Sequence, residues 1–279
     1  MTVEAVGRLL HRMIPTRLRA MLRPLKPNPL RYSRAFPTWE AACRKAGSYA
    51  DPILLEEELN AARAVREGRA AFALFGIPQT RLALRWPLLA SLMSIAGWRG
   101  AFSGRPLHIL DFGGGLGSVY DQHRRFLDTI PALLWSVVEQ PHFVRCGNAE
   151  FADHRVCFFE TIEDAGTRAD IDAALFVSSI DYLENPYDIL ARLLALDIPY
   201  FLLVATHLTE EPDDVIRVQY VRPPYVVTDL PIRFLSRAKL LAFFEARGYQ
   251  MIADLGSGYL FGRTMGNSAV VGHDRKATV

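Results

Sequence analysis

Cysteine is scarce in this chain: Cys43, Cys146 and Cys157 are the only three among 279 residues. No two of them form a C-x-x-C pair and their number is odd, which argues against a disulfide framework and gives no zinc-type spacing. A reducing compartment, the cytoplasm, is the expected location, and no metal is expected. An excess of charge of one sign is also missing, since 32 Lys and Arg face 30 Asp and Glu for a formal net charge of +2. Such a balance gives no field that would gather nucleic acid, and no nucleic-acid partner is expected. Long apolar runs are absent too. The most apolar stretch, 82–96, is broken by Arg85 and Pro87 and falls short of the roughly 20 residues of a membrane span. Arg8, Arg12, Arg17, Arg19 and Arg23 interrupt the N-terminus, so no signal-peptide core is read there and secretion is not expected.

What is present divides into three parts. Residues 1–100 read as an N-terminal helical arm and cap. Within them, 1–31 form a basic amphipathic helix with Val6, Leu9, Leu10, Met13 and Ile14 on one side, followed by the breakers Pro24, Pro27 and Pro29. A helix of this kind lies on an anionic membrane surface, or packs on its own domain or a second subunit to make a homo-oligomer, which is the commoner use of the pattern. Residues 38–100 carry helical periodicity and read as a lid. From residue 101 to 272 short β-rich runs alternate with helical stretches, the pattern of a parallel sheet with crossover helices. The strands are 107–112, 134–138, 156–159, 173–177 and 200–205, with helices over 118–127, 143–151 and 186–196. A last helix over 236–247 ends at Gly248, and 249–255 and 259–261 read as two closing, antiparallel strands. The expected fold is therefore a doubly wound, mostly parallel, Rossmann-like α/β sheet with an N-terminal helical extension. Residues 273–279 read as a disordered tail.

The first strand runs into Asp111-Phe112-Gly113-Gly114-Gly115-Leu116-Gly117-Ser118. Glycines between a strand and a helix let the backbone turn tightly and let a cofactor approach the main chain. The acids discriminate between cofactors. A carboxylate just ahead of the bend, Asp111, repels a pyrophosphate and favours a cofactor with an ammonium and a sulfonium, S-adenosylmethionine. Glu139, ending the second strand about 20 residues beyond the glycines, suits the ribose hydroxyls of any adenosine cofactor, NAD included. The cofactor-binding set is thus Asp111, Gly113, Gly114, Gly115, Gly117, Glu139, Gln140 and Ser178. An NAD-type Rossmann oxidoreductase and a non-catalytic methyltransferase-fold module in a glycan-assembly complex are the rival readings.

The glycine loop and Val138-Glu139-Gln140-Pro141 resemble the class I methyltransferases. More narrowly, with Trp39-Glu40-Ala41, Gly47-Ser48-Tyr49 and Val218-Gln219-Tyr220-Val221-Arg222-Pro223-Pro224, the chain resembles a bacterial family of methyltransferases associated with surface-polysaccharide loci. The resemblance implies the fold and S-adenosylmethionine as cofactor. Ile180-Asp181-Tyr182 stands where such proteins usually carry a Leu-Gln-Tyr-like stretch.

Ligands in open α/β sheets bind beyond the carboxyl ends of the strands, which selects the residues after strands four and five. A hydroxyl acceptor calls for a base, and His207 or Asp181 can take that proton; the alternatives are a structural histidine and a helix cap. Ser179, Tyr182, Gln219 and Tyr220 are the expected substrate contacts. The stretch from Thr206 to Pro231, with Glu210, Glu211, Asp213 and Asp214, reads as an irregular insertion shaping the acceptor pocket. The acidic run reads as a solvated loop rather than a metal site. The expected activity is S-adenosylmethionine-dependent O- or N-methylation of a small-molecule or glycan-like acceptor.

Overall fold

The computed structural model describes residues 29–264 of the chain; the basic arm up to residue 28 and the tail from 265 lie outside it. At its centre is a seven-stranded sheet. It contains β4 (Leu107–Phe112), β5 (Leu133–Val138), β6 (Val156–Phe159), β7 (Ala173–Val177), β8 (Tyr200–Val204), β12 (Tyr249–Asp254) and β13 (Tyr259–Arg263). The spatial order is β12-β13-β8-β7-β4-β5-β6. β4 to β8 are parallel, and β13 is antiparallel to both β8 and β12. β4 pairs with β5 on one side and with β7 on the other. The chain therefore reverses direction across the sheet at the end of β4, where such sheets open a ligand crevice.

Both faces of this sheet are covered, which is why its strands read as near-continuous apolar runs. Strand side chains alternate between faces. Leu175 of β7 and Leu202 of β8 join one core with α3 (Trp86–Trp98), α4 (Ser118–Leu127) and α5 (Pro141–Glu150), through Leu88, Leu92, Ile95, Tyr120 and Phe143. Phe176 of β7 and Phe201 of β8 face the other way. There they join α6 (Ile162–Gly166), α7 (Pro186–Leu194) and α8 (Arg237–Glu245), through Ile162, Leu190, Leu193, Leu240 and Phe244. The doubly wound, mostly parallel sheet expected from the sequence is the fold of the protein.

Three readings of the flanking chain are corrected. First, the cap is not helical throughout. It contains α1 (Trp39–Cys43) and α2 (Pro52–Arg66), but β2 (Phe72–Leu74) and β3 (Ile77–Gln79) form a hairpin between α2 and α3. α2 starts at Asp51, whose carboxylate accepts the N–H of Ile53, with Pro52 in the first turn. Second, α3 lies within the sheet's own core, with Leu88 and Ile95 fully buried, so its helical pattern marks a sheet-covering helix and not a lid.

Third, the stretch between β8 and α8 is not irregular. It forms β9 (Leu208–Thr209), β10 (Val215–Val221) and β11 (Thr228–Ser236), which join β1 (Leu30–Tyr32) in a second sheet of order β1-β10-β11-β9. Residues 30–32, of which 30 and 31 fall in the stretch read as the basic helix, are thus a strand. Pro231 is tolerated inside β11 because it pairs with β10 at Val218 while the opposite edge of β11 is bonded to β9 only at Leu235 and Ser236.

Candidate functional site

The bend after β4 depends on its glycines. Gly113, Gly115 and Gly117 have φ of +70°, +57° and +83°, the left-handed region that side chains disfavour. A Cβ on Gly113 would stand 2.6 Å from Cβ of Ser179, and one on Gly114 would stand 2.5 Å from Oδ2 of Asp111. The loop is therefore pressed between the end of β7 and the carboxylate of Asp111.

Asp111 does not face the crevice as the sequence reading has it. It is fully buried, and its Oδ2 accepts the indole N–H of Trp135 at 3.1 Å. Oδ1 has no hydrogen-bond partner among the described residues. Burial pushes the carboxyl up to about 7, against the opposing effect of the Trp135 hydrogen bond and with a further push from Glu139. Strand alternation turns residue 111 inward and the glycine loop folds over it. Asp111 thus braces the bend from below, and a direct ion pair with a bound cation is not built into this geometry.

Glu139 directly follows β5. One carboxylate oxygen accepts the N–H of Gln140 at 2.7 Å. Burial raises its pKa, opposed by the N–H groups of Gln140 and Gly115. Gly113, Glu139, Gln140, Ser178 and Ser179 line a crevice of about 380 Å³, with Phe112, Val138, Ile162 and Leu183 supplying apolar wall. Ser178 adopts φ of +52° and Ala205, after β8, +54°. Two left-handed non-glycine residues thus stand at adjacent strand ends, a site of backbone strain, and Ser178 of the pair lines the crevice.

A second cavity of about 110 Å³ lies under the second sheet, with His207, Gln219, Glu58, Phe75, Tyr225 and Leu230 in its wall. Tyr49, Ser178 and Tyr182 line both cavities, so the two meet at these side chains. Asp181 and His207 are brought together there. The carboxylate of Asp181 accepts the backbone N–H and the ring Nδ1–H of His207 on its Oδ2. An ionised carboxylate only accepts, which assigns a proton to Nδ1; in the singly protonated ring Nε2 is then the acceptor. Nε2 is 2.7 Å from the hydroxyl of Tyr32. Tyr32 is also bonded to Gln219 Nε2 at 3.4 Å, and the hydroxyl of Tyr182 donates to Gln219 Oε1 at 2.8 Å. The network Asp181–His207–Tyr32–Gln219–Tyr182 thus ties the ends of β7 and β8 to the second sheet.

Of the expected substrate contacts, Ser179, Tyr182 and Gln219 stand at these cavities. Tyr220 does not: it alternates with Gln219 along β10, and its ring faces the guanidinium of Arg222 at 5.5 Å. Among the described residues no group of acidic, histidine or cysteine side chains could hold a metal ion, and no helix is long and apolar enough to cross a membrane.

Sequence reasoning missed Tyr32, Glu58 and Arg85. Tyr32 stands in a three-residue strand and just past the stretch read as the basic helix. Glu58 stands in Glu56-Glu57-Glu58, which reads as a solvated helix face. Arg85 reads only as an interruption of an apolar run.

No family model matches the sequence, and no curated protein matches it. Solved structures do resemble the fold. The N-terminal domain of EvdMO1, crystallised with SAH bound, is 17% identical with a TM-score of 0.41, over 72% of this chain and 94% of that one. CalS10, an amino pentose methyltransferase from Micromonospora echinaspora solved with SAM bound, is 13% identical with a TM-score of 0.43, over 73% and 96%. The mitomycin 7-O-methyltransferase MmcR is 18% identical with a TM-score of 0.39, over 88% and 75%. At these identities the likeness is one of fold alone.

Proposed function

We propose that this protein is an S-adenosylmethionine-dependent methyltransferase of the class I type, acting in the cytoplasm on a small-molecule or glycan-like acceptor at oxygen or nitrogen. The observation that carries the reading is the conjunction at the end of β4: a glycine bend whose added Cβ atoms would collide with Ser179 and Asp111, beside Glu139 in an apolar-walled crevice. This donor set fits a nucleoside. Glu139 offers a carboxylate oxygen to ribose hydroxyls, and Phe112, Val138, Ile162 and Leu183 offer flat apolar contact to a base. When bound, S-adenosylmethionine supplies an electrophilic methyl group on a cationic sulfur.

The chain's own residues would do the rest. Tyr182 and Gln219 orient the acceptor where the two cavities join, and positioning of this kind supplies much of the rate of a displacement. For a hydroxyl acceptor, His207 takes the proton at Nε2 once that nitrogen exchanges Tyr32 for the acceptor. Asp181 holds the ring in the tautomer that does so. The polysaccharide-linked acceptor suggested by the sequence resemblance belongs to the same reading, since Gln219 and Val221 of β10 border the second cavity.

The test is a thermal-shift and calorimetric comparison of S-adenosylhomocysteine with NADH on the full chain, followed by labelled methyl transfer to candidate sugars and phenols. Selective stabilisation by S-adenosylhomocysteine is expected, because a ligand that binds only the native state raises the melting temperature. Stabilisation by NADH alone would move the protein to the oxidoreductases. Cofactor binding with no acceptor ever methylated would leave a binding module.

A further inference from the structure

Between the cap and the glycine loop lies a third cavity, whose wall includes Glu58, Arg85, Gly113, Gly115, Gln122 and Ser178. Glu58 comes from α2, and its Oε2 is 3.9 Å from the position that a Cβ on Gly115 would take. The N–H of Gly76 in the β2–β3 hairpin favours the charged form of Glu58, and the carboxylate forms no ion pair among the described residues. Arg85 immediately precedes α3. Its backbone N–H donates to His123 Nε2 at 3.2 Å, while its guanidinium has neither a carboxylate nor any other hydrogen-bond partner among the described residues.

Two opposite charges thus border one small cavity without neutralising each other, although each is partly removed from water. Burial pushes Glu58 up to about 7, with Glu139 adding to it, and lowers Arg85 from its ordinary value. Partly buried charges without partners are unfavourable, and a ligand that satisfies both carries a cationic group for Glu58 and an anionic group for Arg85. An α-amino acid head group has that pattern. A diphosphate does not, because it would set a second anion against Glu58.

We propose that Glu58 and Arg85, both supplied by the cap, clamp the amino-acid end of the cofactor, Glu58 receiving its ammonium and Arg85 its carboxylate. The inference rests on the cofactor reading above. It moves the electrostatic choice between cofactors from Asp111, which lies beneath the loop, to a side chain that borders the cavity. It also gives the cap a function: α2, the β2–β3 hairpin and the turn into α3 together close the amino-acid end of the crevice.

The test compares S-adenosylhomocysteine with 5′-methylthioadenosine, which keeps the nucleoside and the sulfur but lacks the amino acid, by calorimetry on the full chain. Wild-type protein is expected to bind S-adenosylhomocysteine at least about tenfold more tightly, the scale of charged hydrogen bonds. Glu58→Gln and Arg85→Gln should each remove most of that advantage while leaving 5′-methylthioadenosine within about twofold, the nucleoside contacts being untouched. If the ratio of the two affinities is unchanged in both variants, the clamp is wrong while the cofactor reading stands. Equal loss of both ligands also overturns the clamp, since the pair would then not read the amino-acid end. Binding of neither nucleoside by wild-type protein overturns the cofactor reading itself, and the clamp with it.

Discussion

The Asp181 carboxylate receives the backbone N–H of His207 at 2.9 Å and its ring Nδ1–H at 2.7 Å, both on the same oxygen. One buried side chain therefore fixes the chain after β8 and the tautomer of the imidazole at once. Asp181 is fully buried, and burial raises its pKa against the opposing effect of His207.

Separation of binding from turnover follows for His207. The imidazole lines the second cavity and not the crevice that holds Glu139. His207→Ala should leave S-adenosylhomocysteine affinity within about twofold while slowing methyl transfer to a hydroxyl acceptor by about a hundredfold or more, the usual contribution of a general base. Asp181→Ala should in addition destabilise the fold by about 1–3 kcal/mol, since it strips a buried acceptor from two donors. Calorimetry, turnover and denaturant midpoints check the three effects. Parallel loss of affinity and turnover in His207→Ala would remove the base assignment.

The contact between the glycine loop and Asp111 predicts a coupled pair of substitutions. Gly114→Ala alone places a methyl group 2.5 Å from the Asp111 carboxylate, within repulsive distance of atoms that have no room to move. We expect a marked fall in melting temperature and loss of nucleoside binding. Truncating the carboxylate relieves the collision, so Asp111→Ala with Gly114→Ala should be less destabilised than the sum of the single variants. A double-mutant cycle measures this directly. Additive losses would show that the bend is shaped by something other than that carboxylate.

How far the sequence discloses this architecture depends on the range of the interaction. The parallel sheet is legible because its strands are buried on both faces and stand out as apolar runs between helices. The glycine bend is legible because left-handed backbone at Gly113, Gly115 and Gly117 has a residue signature. The direction of Asp111 is not, since whether its carboxylate faces a ligand or the underside of the bend depends on how the following residues fold over it. Nor is the second sheet, where Pro223, Pro224 and Pro231 suppress a strand reading that the alternation from Val215 to Val221 supports. Glu58 meets the glycine loop across more than fifty residues of chain, a contact that no local pattern encodes.

Acidity supplies a further test, with a sign opposite to that of carboxylates held in ion pairs. Asp111 ionises near 7 in the folded chain, against an ordinary value of 3.8. Between these values the native state holds a proton that the unfolded state has lost, so stability falls as pH rises through the window and is flat above it. For Asp111 each pH unit removes up to about 1.4 kcal/mol. Wild-type protein should melt at a lower temperature at pH 8 than at pH 5.5, and Asp111→Asn, which carries no ionisable group, should narrow the difference. An identical pH slope in the variant would show that Asp111 is already ionised at low pH.

The Tyr32 hydroxyl sits at the joint between the two sheets. It bridges His207 Nε2 at 2.7 Å and Gln219 Nε2 at 3.4 Å, and β1, which carries it, pairs with β10 over Leu30–Tyr32. With Nδ1–H of His207 committed to Asp181, the phenol donates to Nε2, so it occupies the nitrogen that an acceptor hydroxyl must reach. Tyr32→Phe should cost about 1 kcal/mol for the lost hydrogen bond, seen as a lower denaturant midpoint. Yet it should not abolish methyl transfer, because it empties the position that the acceptor takes. If instead the phenol passes the acceptor's proton on to His207, Tyr32→Phe will depress turnover as deeply as His207→Ala does. Turnover and stability measured on the same variant separate the two roles: a small loss of stability with turnover retained marks Tyr32 as a displaceable cap, and a collapse of turnover makes it part of the proton path.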